Sequence, residues 1–426
     1  MHIAFFTHTY PALNSNGGAE ICYTMLKELQ DRQIKVSLFI YAVDEYYKDC
    51  IDNYDKIKKL AENVNIFNAS AFGTKKAVIK SFINNPLNFF SPENNLILPS
   101  FNFEKETHEL LDSYKPDKIF IYDWFACPPA YKYNLEKMLV VGDLLFFPHV
   151  IGLKHRKLLG FEETFIDKFK LKNLRTLFGS LWGIYHRKKM QKKLFSNCDY
   201  GGSFGKYDAE WLYNSGINIS KYYPTPYYDT SKKEFLDYEN RVSQKNKKYK
   251  IATSLGRLHA TATSSGLYLL YNDILPILNE KLGKDNFEIH IFGDGYLRGS
   301  LKKLENLDNV KIRGYVDDID SELLSSDVFL LATNVHLGYR CRLLNCLARA
   351  LPIVLHKNDT LNQPEFINEE NCMIGNNSNE LVDSIIKVLK DQNLKKKLME
   401  GARQTYLDNF YPSKAVEKIL NEFKIK

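Results

Sequence analysis

Three arginines stand where a phosphate could use them. Gly256-Arg257 directly follows an apolar run, and Arg340 and Arg342 open a helical pattern just after Gly338. A guanidinium is a rigid fork of donors that suits a diphosphate. The end of a strand in an open parallel sheet is where such sheets bind ligands. Two cations at a helix N-terminus oppose its dipole, which calls for a balancing anion or for full solvation. For Arg257 the plain alternative is a salt bridge at the surface. Gly17-Gly18 lies between the first apolar run and a helical pattern. Glycines there let the backbone approach a ligand while helix N–H groups face a phosphate, and a tight turn with no ligand fits equally well. The pair is not G-x-G-x-x-G, so the dinucleotide fingerprint is absent. Phe292-Gly293-Asp294-Gly295 and Gly314-Tyr315-Val316-Asp317-Asp318 each end a strand-like run in turn residues.

A second set of residues suits proton handling. Asp123 and Asp143 each end a strand-like segment, and His149 follows the second one closely. Carboxylates there could orient an acceptor hydroxyl, with capping as the ordinary alternative. Asp317, Asp318 and Asp320 read as a solvated loop, and no D-x-D in strand context points to a metal. Seven cysteines lie scattered without a C-x-x-C pair, which predicts reduced thiols in a cytoplasm.

The elements that would hold these residues follow from periodicity. A strand at His2 to Thr7, a helix from Ala19 to Gln33 and a strand at Lys35 to Tyr41 make a βαβ unit. Further strands read at Lys118 to Tyr122 and Met138 to Val141. The second half repeats the scheme, with strands at Lys250–Ser254, Glu288–Phe292, Lys311–Arg313, Val328–Ala332 and Ile353–Leu355. Helices alternate with them at Gly266–Lys281, Leu297–Glu305, Arg340–Ala350 and Asn379–Leu389. On this reading Ser264-Ser265-Gly266 opens a helix, and residues 229–248, polar and basic, form an exposed linker. The expected organisation is a domain over 1–228, the linker, a domain over 249–408, and a helix over 409–426.

With 426 residues, 44% of them hydrophobic and 26% charged, the composition is that of an ordinary globular chain. No apolar stretch reaches the ~18–20 residues that span a bilayer. The opening Met1-His2-Ile3-Ala4-Phe5-Phe6 lacks a basic region before its apolar run, so no signal peptide is expected. The net charge of +7 is uneven: Lys154 to Lys193 holds twelve Lys or Arg against three acids. Phe169, Leu174, Phe178, Leu181, Trp182 and Tyr185 recur among those cations. The pattern suits anionic headgroups or, more plainly, a helix with its apolar stripe in a core. No nucleic-acid module accompanies the charge.

Taken in order, these pieces resemble glycosyltransferase family 4 over nearly the whole chain. The resemblance rests on Tyr10-Pro11 with Gly17-Gly18-Ala19-Glu20, and on Tyr223-Pro224-Thr225-Pro226 with Asp229. It continues through Gly256-Arg257, Phe292-Gly293-Asp294-Gly295, Gly314-Tyr315, Ser326-Asp327-Val328, Ala350-Leu351-Pro352-Ile353-Val354 and Asn409-Phe410-Tyr411-Pro412-Ser413. It implies a GT-B fold: α/β, with two Rossmann-like doubly wound domains facing a central cleft. The first would take the acceptor, the second the nucleotide-sugar donor, and the last helix would pack back on the first. The implied activity is transfer, with retention, from a nucleotide-diphosphate sugar to a glycan or lipid-linked acceptor in surface polysaccharide or glycolipid synthesis. No metal or cofactor beyond that co-substrate is implied, and the cationic segment 154–193 would bring the protein to the inner face of a membrane.

The resemblance also assigns residues. Gly17, Gly18, Arg257, Gly293, Tyr315 and the loop Gly338-Tyr339-Arg340-Cys341-Arg342 would hold the donor, and His149 would lie near the transferred sugar. Two departures stand out. The family's paired glutamates fall on Leu337 and Asn345, and its lysine before the helical glycine falls on Ser265. Arg340 or Arg342 could supply the charge that Ser265 lacks, and Asn345 could still bond a ribose hydroxyl. A sugar-nucleotide epimerase would be expected to bring more carboxylates. A degenerate protein of the same fold, binding a nucleotide sugar or scaffolding other transferases, is the non-catalytic alternative.

Overall fold

The computed structural model describes residues 1–13, 15–69, 99–154, 171–243, 248–336 and 338–425. It divides into two units: residues 1–150 with 178–228 and 412–426, and residues 151–177 with 229–411.

The first unit is built on a seven-stranded parallel sheet. Its strands are β1 (His2–Thr7), β2 (Lys35–Ala42), β3 (Asn63–Asn68), β4 (Lys118–Tyr122), β5 (Lys137–Val141), β6 (Tyr200–Ser203) and β7 (Ser220–Tyr222), in the order β3-β2-β1-β4-β5-β6-β7. β1, β2, β4 and β5 are buried almost throughout because helices cover both faces. Their continuous apolar runs are what made them legible. The order reverses between β1 and β4, the switch point where open sheets of this kind leave a crevice. The helix Pro412–Glu422 belongs to this unit: Arg32 Nη2 donates to Ser413 O at 3.0 Å, and Lys118 Nζ donates to Phe423 O at 2.7 Å.

The second unit carries a six-stranded parallel sheet. It comprises β8 (Tyr249–Ser254), β9 (Phe287–Phe292), β10 (Val310–Gly314), β11 (Val328–Leu331), β12 (Ile353–His356) and β13 (Met373–Gly375), in the order β10-β9-β8-β11-β12-β13. Its switch point lies between β8 and β11.

Two expectations need correction. Residues 229–248 are exposed over most of their described part, but two side chains anchor them. Phe235 is fully buried, and the helix Tyr238–Ser243 tucks Arg241 beneath it, Nη1 donating to Phe235 O at 2.6 Å and Ala350 O at 3.0 Å. Polar composition hid these anchors because a long cationic stem packs well while its head finds carbonyls. Residues 244–247 lie outside the described residues. The second correction concerns the helix expected from Gly266, which begins at Thr261. Ser264 and Ser265 are inside it, their hydroxyls donating to Leu258 O at 3.0 Å and Ala262 O at 2.8 Å. Serines satisfied by nearby carbonyls sit in a helix without capping it. The same helix passes through a π turn at Leu270–Ile274, where Pro276 removes an amide donor from the ladder.

Candidate functional site

In the second unit the chain is strained where β8 ends. Ser254 and Leu255, neither a glycine, have φ of +85° and +58°. Such values in consecutive side-chain-bearing residues persist only where the surroundings hold them. The loops after β8, β9 and β10 are laced together: Leu255 N donates to Phe292 O at 3.1 Å, Leu258 N to Asp294 O at 2.8 Å and Gly293 N to Gly314 O at 2.9 Å. Gly293, at φ +134°, approaches so closely that a Cβ there would stand 1.9 Å from Gly256 O. Only glycine fits.

On this frame Arg257 is well exposed, its Nε 3.9 Å from Asp294 Oδ2. His259 stacks on Tyr296 with centroids 4.9 Å apart and planes 3° from parallel. Tyr296 and Tyr315 are both exposed, at 59% and 73%. The three loops thus offer a cation and aromatic faces along one sheet edge.

The two arginines after β11 have different fates. Arg340 is buried and paired: its Nε donates to Asp359 Oδ1 at 3.0 Å and its Nη2 to Val335 O at 3.1 Å. Asp359 also accepts the Thr333 amide at 3.1 Å. Burial pushes its carboxyl up to about 6 despite Arg340. Arg340 therefore does not await an anion, which corrects the reading of both helix-start arginines as unbalanced. Arg342 is the unbalanced one. Its Nη1 donates to Ser254 O and its Nη2 to Thr263 Oγ1, both at 3.2 Å, and no carboxylate pairs with it among the described residues. Burial, reinforced by Arg340, lowers its pKa to about 10. An unpaired cation under the strained end of β8, at the switch point, is what an anionic ligand would complete.

The remaining donor-side residues divide. Asn345, on the helix Cys341–Ala348, has its Oδ1 buried without a hydrogen-bond partner. Gly338 turns the loop at φ +65°, Tyr339 is half-buried beside it, and Leu337 lies outside the described residues. Ser265 offers nothing to a ligand, because it is fully buried with its hydroxyl spent on Ala262 O.

In the first unit the helix Gly17–Asp31 starts at Asn16, whose Oδ1 accepts the Ala19 amide at 3.1 Å. Neither Gly17 nor Gly18 has positive φ, and a Cβ on Gly18 would lie 3.6 Å from the Tyr122 hydroxyl. The helix entrance is close-packed and partly capped. Asp123 lies at φ +76°, its Oδ1 accepting the Trp124 amide at 2.5 Å and its Oδ2 3.9 Å from His8 Nδ1. Asp143, at the end of the next strand, takes the Trp124 indole N–H on its carbonyl at 2.5 Å. His149 lies in the first turn of the helix Phe147–Lys154 and packs against Gly183, where a Cβ would stand 3.3 Å from its Cε1. Burial, with Arg187 nearby, lowers its pKa. His8 was missed in the sequence because the glycine pair after it drew the functional reading. Its signal was there, a histidine directly after the first strand.

Comparison with known proteins agrees with this architecture. Residues 249–391 match the family model described as Glycosyl transferases group 1. No curated protein matches the sequence. Among solved structures, sucrose-phosphate synthase from Thermosynechococcus elongatus is similar at a TM-score of 0.67 and 12% identity, covering 99% of this chain and 98% of that one. HepE from Anabaena, in complex with UDP, gives 0.61 at 13% identity over 100% of both chains. TarM of S. aureus, in complex with UDP and alpha-GlcNAc-glycerol, gives 0.62 at 12% identity over 99% of both. The two parallel sheets, each in its own α/β unit, are those of the GT-B fold.

Proposed function

We propose that this protein is a glycosyltransferase that moves a sugar from a nucleotide-diphosphate sugar to a glycan or lipid-linked acceptor, with retention. The observation that carries the reading is Arg342, a cation without a carboxylate at the β8/β11 switch point, inside the segment that matches the glycosyltransferase model. Arg342 and Arg257 would hold the diphosphate, and Asn345 Oδ1, buried and unbonded, would accept a ribose hydroxyl. Tyr296 and Tyr315 offer faces to a base. Catalysis is then electrostatic: fixed donors stabilise the nucleoside diphosphate as it departs, with arginine supplying the charge and no added cofactor. HepE, TarM and a sucrose-phosphate synthase share the fold, and the first two were crystallised with UDP, which makes UDP-sugars the first donors to try.

For the acceptor side we extend the proposal to a membrane-held glycan and to a role in surface polysaccharide or glycolipid synthesis. No helix among the described residues is long and apolar enough to cross a membrane. The helix Leu171–Phe195 exposes Leu181, Tyr185, Lys188, Lys189 and Lys192 at helical spacing, an arrangement suited to anionic headgroups. Arg187 is only half-exposed, and residues 155–170 of the cationic segment lie outside the described residues. A binding-only protein of the same fold is the second reading, favoured by Asn345 standing where the resemblance expects a glutamate. A screen of nucleotide-sugar hydrolysis without acceptor separates them. Release of nucleoside diphosphate from one donor supports the transferase. Tight binding with no turnover of any donor supports the binder.

A further inference from the structure

The chain between β11 and the helix Cys341–Ala348 is tied down by a short segment that the donor reading leaves unused. After β12 the backbone makes one turn, Lys357–Thr360, with His356 Nδ1 accepting the Asn358 amide at 3.1 Å. Three side chains of residues 358–363 then reach back. Asn358 Nδ2 donates to Asn334 O at 2.8 Å. Asp359 works at both ends of the connection: Oδ2 accepts the Thr333 amide at 3.1 Å, and Oδ1 accepts Arg340 Nε at 3.0 Å. Gln363 Oε1 accepts the Arg340 amide at 3.2 Å. Arg340, the residue from which the helix starts, is thus fixed through its backbone and through its side chain. The start of the connection is packed as well, since a Cβ on Gly266 would stand 3.5 Å from Ala332 O and 3.6 Å from Thr333 N.

This polar set is costly to keep. Asp359 and Gln363 are buried, at 2% and 0% exposure, and burial pushes the Asp359 carboxyl up to about 6. Gln363 Nε2 is buried with no hydrogen-bond partner. Apolar side chains of similar volume would serve stability as well or better. What the polar set supplies is one geometry for the chain that starts the helix. Arg342 stands two residues beyond Arg340 and Asn345 five, so a shift of the helix start moves both. We infer that Asp359 and Gln363 are positioning residues for the donor, setting the helix start through Arg340 and so aiming Arg342 at the diphosphate. Neither touches the donor. The inference rests on the transferase reading, in which Arg342 holds that diphosphate. Positioning and plain electrostatics differ in sign here. Removing a carboxylate from beside an anion site strengthens the pull on the anion, whereas losing the splint weakens its binding.

Calorimetric titration with UDP tests this, with the unfolding temperature measured in parallel. Gln363→Met changes no charge and nearly keeps the volume, and it is expected to bind UDP about tenfold more weakly. Asp359→Leu is expected to weaken UDP binding about tenfold or more although it removes a negative charge. Asp359→Asn keeps an acceptor for the Thr333 amide and should recover part of that loss. Added to Arg342→Met, Gln363→Met is expected to cost nothing further, because its effect passes through Arg342; a general loosening of the fold would add to it. In the wild type without UDP, the amides of Thr333 and Arg340 should exchange slowly with deuterium. Should Asp359→Leu fail to fold, Gln363→Met and the exchange measurement decide. The inference is overturned if Gln363→Met or Asp359→Leu binds UDP as tightly as the wild type, if the loss adds to that of Arg342→Met, or if those amides exchange freely. The wild type still binds UDP in each of these cases, and the transferase reading stands. If the wild type neither binds UDP nor consumes UDP-glucose, the transferase reading fails and takes the inference with it.

Discussion

The two units carry the same kind of sheet and the same kind of switch point, yet they furnish it differently. At β8/β11 the strand exit is strained through Ser254 and Leu255, and the charge beneath it is a cation, Arg342, bonded only to neutral atoms. At β1/β4 the strain falls on Asp123, and the charge is a carboxylate facing a histidine. One edge carries a guanidinium bonded to neutral atoms and the other a carboxylate facing an imidazole. The topology fixes where a ligand can sit, and the few side chains planted there fix its chemistry.

If the β8 edge owes its geometry to loop-on-loop contact, removing that contact should have the largest effect. Gly293→Ala would drive a Cβ to 1.9 Å from a backbone oxygen at φ +134°, and a loss of about 3 kcal/mol or more is expected in calorimetric unfolding. Gly314→Ala sharpens the point. It has φ +68° but nothing within 4 Å of the added atom, so strain alone should cost about 1–2 kcal/mol.

The contrast between Arg340 and Arg342 predicts a pH signature. With the Asp359 carboxyl raised to about 6, the folded chain holds a proton between about pH 4 and 6 that the unfolded chain has released. Stability from this group is therefore lost as pH rises through that window, by about 3 kcal/mol in all. Asp359→Asn removes the slope, so wild-type stability measured relative to the variant should fall from pH 4 to 7. A rise instead would mean that the Arg340 pair, and not burial, governs the carboxyl.

A smaller effect concerns the first unit's exposed cations. Lys189→Ser with Lys192→Ser should weaken flotation on anionic liposomes by about 1 kcal/mol per lysine, with high salt abolishing what remains. Protein that ignores such liposomes at low salt would make the helix Leu171–Phe195 a solvated face. Smallest is Asn345→Ala, expected to cost donor binding about 1 kcal/mol, the worth of one neutral hydrogen bond.

Nine of the thirteen described strands and the two-sheet organisation were legible, mostly because parallel strands buried on both faces read as continuous apolar runs. β3, β6, β7 and β13, mostly short or polar, were not read. The site was legible only in part. Arg257, Gly293 and Tyr315 could be found from local signals, since each ends a strand. Which of Arg340 and Arg342 is free could not, because Asp359 enters from beyond the next strand. Ser265 misled through its place beside Gly266, where its hydroxyl had a closer carbonyl to bond. His8 and Asp123 are far apart in sequence, and only strand register makes them neighbours. The two anchors of the linker were hidden for a related reason: Arg241 bonds Ala350 O and Phe235 lies under Arg349, both in a distant segment.

If Arg342 is the cation that holds the donor diphosphate, calorimetric titration with UDP will read its loss. The wild type should bind UDP, and Arg342→Met, which keeps the volume and removes the charge, should bind about 10- to 100-fold more weakly, equivalent to about 1.5–3 kcal/mol. Because an unpaired buried charge is removed, that variant should unfold at no lower a temperature than the wild type. Equal UDP affinity in the two proteins would remove Arg342 from the donor site.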